Sequence, residues 1–301
     1  MIIAIVGPTG IGKTKLSISL AKHYRTELIS GDSVQVYKQL NIGSGKVTKE
    51  EMDGVKHHLI DILDVGEEFS VALFQKIVRE KIKEFETNNN LPIIVGGTGL
   101  YIKSVLYDYN FTDSRRDKSL EGKYLNVSNE DLHKILLAKD VNQALRVHPN
   151  NRKRVIQALS RADNNKMSDN VNKDVKVYDF VIIGLTLERS VLYELINARV
   201  DKMINQGLIE EVKGLYDQGI NGYSVSAIGY KELYDYFDGN CTKEEAIDKI
   251  KQHSRNLAKR QLTFFNNQFD VEWIDVELDN FDNTIEEAIE IIDEYLEEEG
   301  D

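Results

Sequence analysis

The chain has 301 residues, a formal net charge of −12 at pH 7 and a single cysteine. One cysteine excludes an internal disulfide bond and any metal cluster built on cysteine ligands. The amino-terminal apolar run is short, and no later stretch approaches the ~18 apolar residues of a membrane span. We therefore expect a soluble, cytoplasmic protein with no membrane partner and no signal peptide.

A glycine-rich loop between a buried strand and a helix is the first motif of the chain. The strand is predicted at Ile2–Val6 and the helix at 15–24. The octapeptide GPTGIGKT between them matches the P-loop, in which backbone N–H groups hold phosphate oxygens. In such loops the lysine, here Lys13, reaches the terminal phosphates, and the hydroxyl of Thr14 binds Mg²⁺. The predicted phosphate-binding residues are Gly7, Pro8, Thr9, Gly10, Ile11, Gly12, Lys13 and Thr14.

Further alternating strands and helices follow the P-loop. A strand is predicted at 27–30, a long amphipathic helix at Val71–Thr87 and a buried strand at 91–95. This alternation predicts a parallel sheet with helices on both faces. Ligands of such sheets bind beyond the carboxyl ends of the strands, so the loops after these strands should lie side by side around the phosphate.

The character of the sequence changes after residue 106. Residues 107–179 are polar and hold helical patterns at 129–137 and 151–161. The segment 161–174 is rich in Asn, Asp and Lys and is predicted to be a mobile loop. We interpret 107–179 as an inserted, mainly helical subdomain.

The carboxyl-terminal part returns to the core, which we place at 1–106 and 180–301. Residues 275–301 hold thirteen acidic residues and no basic one, so the rest of the chain carries about +1. The acidity is therefore local, typical of a helix with a solvated acidic face, and does not exclude a nucleic-acid partner. A strand is predicted at 180–185, and helices are predicted at 191–206, 208–218, 243–265 and 283–299.

The sequence lacks the aspartate that P-loop NTPases place at the end of a neighbouring strand to support phosphoryl transfer. The strand that ends at Val95 is followed by Gly96-Gly97-Thr98-Gly99, and the strand at 180–185 by Thr186. This absence argues against ATP hydrolysis and leaves room for a P-loop that holds a diphosphate leaving group.

Seven short motifs occur in the order found in bacterial tRNA dimethylallyltransferases, and the chain resembles that family over nearly its whole length. The motifs are GPTGIGKT, DSVQVY from Asp32, NIGSGK from Asn41, HHLID from His57, GGTGLY from Gly96, IGYKE from Ile228 and AKRQ from Ala258. The family moves a dimethylallyl group from dimethylallyl diphosphate to N6 of adenine 37, beside the anticodon, in tRNAs that read codons beginning with U. The resemblance implies the same donor and a tRNA anticodon stem-loop as partners of this chain, which we expect to be a monomer.

The resemblance also implies three catalytic residues. Because an allylic diphosphate ionises readily, the enzyme must neutralise the departing oxygens and hold the amine at the reacting carbon. Thr98 is implied to hydrogen-bond the bridging oxygen, and Arg199 to reach the diphosphate. Asp32 is the expected general base, since a carboxylate that accepts an N6 proton helps a poorly nucleophilic amine. The alternatives are a turn residue for Thr98, a solvated arginine for Arg199 and a turn cap for Asp32.

RNA contacts are implied in both parts of the chain. The target adenine must leave the anticodon stack to react. Lys251, Arg255 and Lys259 recur every four residues, which predicts three cations on one helix face suited to RNA phosphates, with a solvated basic face as the alternative. One departure from the family is Gln157, where many members carry arginine. The implied RNA-binding residues are Asp32, Ser33, Val34, Gln35, Thr98, Lys153, Arg154, Gln157, Arg255, Lys259, Arg260 and Gln261.

Two other functions are open to a chain with this P-loop. A kinase of a small metabolite would use the same loop, Lys13 and Thr14 with ATP, and a non-catalytic RNA-binding protein could use the loop for regulation. The missing strand-end aspartate and the RNA-facing motifs argue against the kinase. The non-catalytic alternative would not explain why Asp32 and Thr98 meet at the phosphate. His57 and His58 are not expected to share a metal ion, because adjacent side chains of an extended segment point to opposite faces.

Overall fold

Six parallel strands form one sheet in the part of the chain that the computed structural model describes, which is residues 1–109, 111, 122–163 and 174–298. Their order across the sheet is β3-β2-β4-β1-β5-β6. The predicted parallel α/β fold is therefore confirmed. The strands are β1 (Ile2–Val6), β2 (Leu28–Ser30), β3 (His57–His58), β4 (Ile93–Val95), β5 (Phe180–Thr186) and β6 (Glu272–Asp275).

Strand β1 lies in the middle of the sheet because all five of its residues are apolar and buried. Ile3 is opposite Ile93 of β4 on one side and Val181 of β5 on the other. Strand β2 pairs with the far side of β4. The carboxyl ends of β1, β4 and β2 are thus adjacent, and the loops that follow them meet at one edge of the sheet, as predicted.

Helices of the core flank the sheet, and three further helices form most of an inserted unit. Several of them begin at side-chain caps; for example, Ser70 accepts the N–H of Leu73, and Thr242 forms a capping box with Glu245. The helices are α1 (Lys13–His23), α2 (Lys49–Met52), α3 (Val71–Thr87), α4 (Gly99–Leu106), α5 (Asn129–Lys139), α6 (Val141–Arg146), α7 (Arg152–Asp163), α8 (Arg189–Asn205), α9 (Leu208–Asp217), α10 (Tyr230–Phe237), α11 (Lys243–Gln268) and α12 (Phe281–Glu298).

The chain divides into a core unit, Met1–Tyr107 with Lys176–Asp301, and an inserted unit, Asp108–Val175. The insertion is shorter than the predicted 107–179. The reason is that residues after Val175 are tied to the core: Val177 N–H donates to the Leu106 carbonyl at 3.0 Å, and Ile2 N–H donates to the Asp179 carbonyl at 2.8 Å. Most of the predicted mobile loop at 161–174 lies outside the described residues.

The inserted unit has a small apolar core of its own. Leu132 and Leu136 of α5 pack with Val155 and Leu159 of α7, and all four side chains are fully buried. Arg152 braces the start of α7, because its Nη1 donates to the Val127 carbonyl at 2.7 Å and to Asn129 Oδ1 at 3.0 Å. The unit therefore has helical structure that the polar sequence only partly indicated.

The acidic helix α12 packs on the core. Ala288 and Ile292 are buried, and the hydroxyl of Tyr24 on α1 donates to Asp293 Oδ1 at 2.8 Å. The other acidic side chains of α12 lie on its solvent side, as the amphipathic pattern predicted. Among the helices that the structure describes, none has both the length and the apolar character needed to cross a membrane.

Candidate active site

The P-loop joins β1 to α1 at the meeting point of the strand ends. Gly7 has a φ of +140°, and a Cβ there would lie 2.8 Å from the Leu185 carbonyl oxygen. Gly12 caps α1 with a φ of +107°, and a Cβ there would lie 2.6 Å from the Phe281 ring. Both positions therefore require glycine. The loop can then turn its backbone N–H groups toward an anion at the N-terminus of α1.

Lys13 lies over this loop. Its Nζ donates to the carbonyl oxygens of Gly7 at 3.0 Å and Pro8 at 2.7 Å. Burial, and then the nearby positive charge of Arg199, lowers the pKa of Lys13 to about 7, while Asp32 opposes the shift. The lysine is thus held at the loop, where its charged form is destabilised.

Arg199 reaches the same place from α8. Its Cδ lies 3.6 Å from the position that a Cβ on Gly10 would take, and a Cβ on Gly45 would overlap its guanidinium. Burial lowers the pKa of Arg199, against the attraction of Asp32. The alternative of a solvated surface arginine is therefore wrong. Lys13 and Arg199 repel each other here, Asp32 attracts both, and Glu51 also attracts Arg199. An added anion would relieve the repulsion between the two cations.

Asp32 follows β2 and closes the turn after it. Its Oδ1 accepts the N–H groups of Val34 at 2.7 Å and Gln35 at 3.1 Å. The alternative role of Asp32 as a turn cap is thus correct for Oδ1. These bonds orient the carboxylate through Oδ1. The carboxylate also attracts Lys13 and Arg199. The general-base role stays a prediction.

Thr98 occupies the N-terminal cap of α4, after β4. Its side chain makes no capping bond to that helix, so the helix does not use its hydroxyl. The preceding residue, Gly97, is fixed from α11: Gln261 Nε2 donates to the Gly97 carbonyl at 3.1 Å. The Oε1 of the same Gln261 accepts the N–H of Thr9 at 3.2 Å.

The loop 41–46 is held by a residue that the sequence did not point to. Glu211 of α9 accepts backbone N–H groups from Asn41, Ile42 and Gly43 at 2.8–3.1 Å, and the hydroxyl of Tyr230 at 2.7 Å. Three successive N–H groups around one carboxylate form an anion nest filled by the protein itself. No local pattern on α9 marks this role.

The far side of the same loop contacts the site. The carbonyl of Gly45 accepts Gln35 Nε2 at 3.3 Å, and Gly45 lies against Arg199. Lys46 is almost fully buried, and its Nζ donates to the Tyr37 carbonyl at 2.8 Å and to Asp61 Oδ1 at 2.5 Å. Loop 41–46 thereby sets where Arg199 and Gln35 can lie.

A cavity of about 1050 Å³ opens over the P-loop. This exceeds the upper end of ordinary small-ligand sites, roughly 300–1,000 Å³, so it has room for more than one phosphate group. Its lining includes Lys13, Asp32, Gln35 and Arg199, with apolar side chains from α8 and α11 beyond them.

The basic face of α11 is less open than its spacing predicted. Lys251 Nζ pairs with Asp201 Oδ1 at 2.6 Å, and Arg255 Nη1 donates to Asn197 Oδ1 at 2.5 Å, both on α8. Lys259 and Arg260 are exposed. Two of the three cations predicted on this face are thus engaged by α8, and Lys259, with Arg260 beside it, is the exposed part of the face. An RNA contact at Arg255 stays a prediction.

The predicted RNA-binding residues of the inserted unit lie on the outer face of α7. Lys153, Arg154 and Gln157 are exposed, whereas Val155 and Leu159 face the apolar core. The three side chains share one face because positions three and four apart are neighbours on a helix. Their contact with RNA stays a prediction.

His57 and His58 are engaged separately. The Nδ1 of His57 lies 2.9 Å from the Val55 carbonyl, and the Nε2 of His58 lies 2.6 Å from Glu27 Oε2. Burial lowers the pKa of His57. Across the described ranges, no group of three or more His, Cys, Asp or Glu residues could hold a metal ion.

The parallel sheet and the glycine loop at its edge define a P-loop α/β protein. A family model described as IPP transferase matches residues 35–268, and the chain belongs to that family. This confirms the family that the motifs indicated. A tRNA dimethylallyltransferase of Bacillus pumilus (strain SAFR-032) is 52% identical over 284 residues, which covers 91% of this chain and 89% of the relative. One of Bacillus anthracis is 52% identical over 281 residues, with 90% of each chain covered.

Solved structures agree with this assignment. The full-length tRNA isopentenylpyrophosphate transferase of Bacillus halodurans superposes with a TM-score of 0.77 at 49% identity, covering 99% of this chain and 97% of the other. A eukaryotic dimethylallyltransferase acting on tRNA superposes with a TM-score of 0.84 at 25% identity, covering 99% of this chain and 79% of the other.

Proposed function

We propose that the protein transfers the dimethylallyl group of dimethylallyl diphosphate to N6 of adenine 37 in tRNAs that read codons beginning with U. The products are N6-dimethylallyladenosine and diphosphate. Membership of the IPP transferase family supports the reaction class, and the names of the relatives support the prenyl donor and the tRNA acceptor.

The observation that carries the proposal is the charge balance at the P-loop. Lys13 and Arg199 both line the cavity, each with a lowered pKa, and Asp32 opposes both shifts while Glu51 also opposes that of Arg199. The repulsion between two cations in a partly buried place is relieved when an anion brings negative charge to them. A diphosphate supplies that charge, and the N–H groups of the loop supply its hydrogen-bond donors.

The reaction needs one bond broken and one formed. The C1–O bond of the donor breaks, and its electron pair leaves with the diphosphate, where Lys13, Arg199 and the loop amides neutralise the charge. The N6 lone pair forms the new bond to C1. Asp32 accepts the N6 proton through Oδ2, because Oδ1 already accepts two N–H groups of the turn. Thr98 donates its hydroxyl to the bridging oxygen of the donor.

Mg²⁺ fits the residues at the start of α1. The Thr14 side chain is exposed at the second position of that helix, on the cavity. Mg²⁺ takes few protein ligands and completes its shell with phosphate oxygens and water, so one hydroxyl beside a bound diphosphate suffices. When bound, the ion would supply further neutralisation of the leaving group.

RNA recognition is assigned to three sets of residues. Asp32, Ser33, Val34 and Gln35 line the cavity and meet the flipped adenine and its neighbours. Lys259 and Arg260 on α11, and the outer face of α7, contact phosphates. We also propose that the protein acts as a monomer in the cytoplasm, where its tRNA substrate is found.

The test is transfer of label in the presence of Mg²⁺. The protein is incubated with dimethylallyl diphosphate labelled in the prenyl group and an unmodified anticodon stem-loop, and a parallel reaction contains γ-labelled ATP. We expect prenyl label in the RNA and one diphosphate released per transfer. Loss of the γ-phosphoryl group of ATP to a small acceptor, with no prenyl label in RNA, would favour the kinase alternative instead.

A further inference from the structure

Gln261 joins the two loops that form the floor of the anion site. Its Oε1 accepts the N–H of Thr9 in the P-loop at 3.2 Å, and its Nε2 donates to the carbonyl of Gly97 at 3.1 Å. Thr9 follows β1, and Gly97 follows β4. One side chain from α11 therefore connects residues that lie 252 and 164 positions away in the sequence.

The two bonds fix the orientation of the Gln261 amide. An amide oxygen only accepts and an amide nitrogen only donates, so the oxygen must face the Thr9 N–H and the nitrogen the Gly97 carbonyl. The contact is close, because a Cβ on Gly97 would collide with the Gln261 side chain. Phe264 lies one turn after Gln261 on α11 and packs against Gly99, since a Cβ on Gly99 would collide with its ring. The turn 97–99 thus rests on α11 at two points.

We infer that Gln261 is a positioning residue for the diphosphate. It holds the P-loop and the turn that carries Thr98 at a fixed spacing, so that the loop amides and the Thr98 hydroxyl meet one and the same diphosphate. The inference rests on the proposed function for the role of Thr98. It replaces the RNA contact implied for Gln261, because the amide is already bonded within the protein.

The neighbouring residues of α11 have a different role under this inference. Lys259 and Arg260 are exposed, and Gln261 turns inward within the same helical turn. Replacement of residue 261 should therefore affect the donor, and replacement of residue 259 should affect the RNA. This contrast between close neighbours separates a positioning role from general damage to α11.

Gln261→Met is the first variant, because methionine keeps the length of the side chain and removes both hydrogen bonds. We expect its affinity for inorganic diphosphate to fall by about 3- to 10-fold, the loss of one or two ordinary hydrogen bonds. Its kcat for transfer should fall by about 10- to 100-fold, as misplacement of reacting groups does. Its affinity for the stem-loop should stay within about 2-fold. Gln252→Met, an exposed glutamine of the same helix, is the control and should match the wild type.

The second measurement asks whether Gln261 acts through Thr98. In a Thr98→Ala background, Gln261→Met should lower kcat by no more than about 3-fold, because coupled residues give non-additive effects. The shift in melting temperature caused by Gln261→Met should be the same in both backgrounds. Gln261→Glu, which keeps the acceptor for Thr9 and removes the donor to Gly97, serves if the methionine variant does not fold, and should also bind diphosphate more weakly.

Two results would overturn the inference. The first is a loss of stem-loop affinity in Gln261→Met with diphosphate affinity unchanged, which would make Gln261 an RNA contact. The second is a fully additive loss of kcat in the Thr98→Ala background. If the wild-type protein transfers no dimethylallyl group at all, the proposed function fails, and the diphosphate-binding measurement still decides the role of Gln261.

Discussion

Binding of the donor above neutral pH is expected to take up close to one proton through Lys13. Burial and Arg199 lower the pKa of this lysine to about 7 in the protein without ligand. A bound diphosphate brings negative charge next to the ammonium group and raises that pKa again. At pH 8 the free protein has Lys13 charged in about one molecule in eleven, so binding takes up about 0.9 proton; at pH 6 it takes up about 0.1.

The sign of the pH dependence follows from the same shift. Because the charged lysine binds the anion, affinity is greatest below pH 7 and falls as pH rises through the pKa of the free protein. The loss approaches about tenfold, or ~1.4 kcal/mol, for each further pH unit. It ends where the pH reaches the higher pKa of the bound state.

Calorimetry measures this uptake directly. Dimethylallyl diphosphate is titrated into the protein without RNA, so that no transfer occurs, in two buffers at pH 8 whose heats of ionisation differ. Lys13→Arg is the matched control, because arginine stays charged at this pH and corrects for any protonation of the ligand itself. Equal proton uptake by the wild type and Lys13→Arg at pH 8 would refute the account of Lys13.

Three further predictions concern the rest of the site. Asp32→Asn keeps an acceptor for the turn and should lower kcat by about 10²- to 10⁴-fold while stem-loop affinity, measured by fluorescence anisotropy, changes little; equal losses would make Asp32 a contact only. Lys259→Ala should weaken stem-loop binding and reduce the slope of log K against log salt by about one, with diphosphate affinity unchanged; a loss of diphosphate affinity would mean that this part of α11 faces the donor. Glu211→Gln should lower the free energy of unfolding by about 1–3 kcal/mol and weaken donor binding, because glutamine keeps only one of the two oxygens that accept the N–H groups of loop 41–46 and the Tyr230 hydroxyl. The exposed Glu210→Gln should change neither quantity in thermal unfolding and titration with the donor.

The strands of the core could be predicted where apolar residues form a run. Strands β1, β4 and β5 are such runs, and their ends were predicted to within two residues; glycine follows β1 and β4. Strand β6, Glu272–Asp275, was missed because a short edge strand with acidic residues at both ends lacks a continuous apolar signal. Helix α10 was also missed, since its first residues were noticed only as the motif IGYKE.

The residues with chemical roles could be predicted from the sequence more readily than the residues that hold them in place. Phosphate loops have a fixed spacing, so GPTGIGKT located Lys13, and the topology of a parallel sheet brought Asp32 to it. Gln261 and Glu211 act through hydrogen bonds to residues more than 160 positions away, and such pairs leave no local pattern. The spacing of Lys251 and Arg255 predicted a shared face correctly but could not show that α8 engages both.

Analysis of the modified nucleoside tests the central claim most directly. An unmodified anticodon stem-loop is incubated with the protein, Mg²⁺ and dimethylallyl diphosphate, then digested and examined by mass spectrometry with fragmentation. The account predicts a dimethylallyl group on N6 of adenine 37 and on no other base, and no product when position 37 is guanine. RNA that stays unmodified while the donor is merely hydrolysed, or while ATP loses its terminal phosphoryl group, would contradict it.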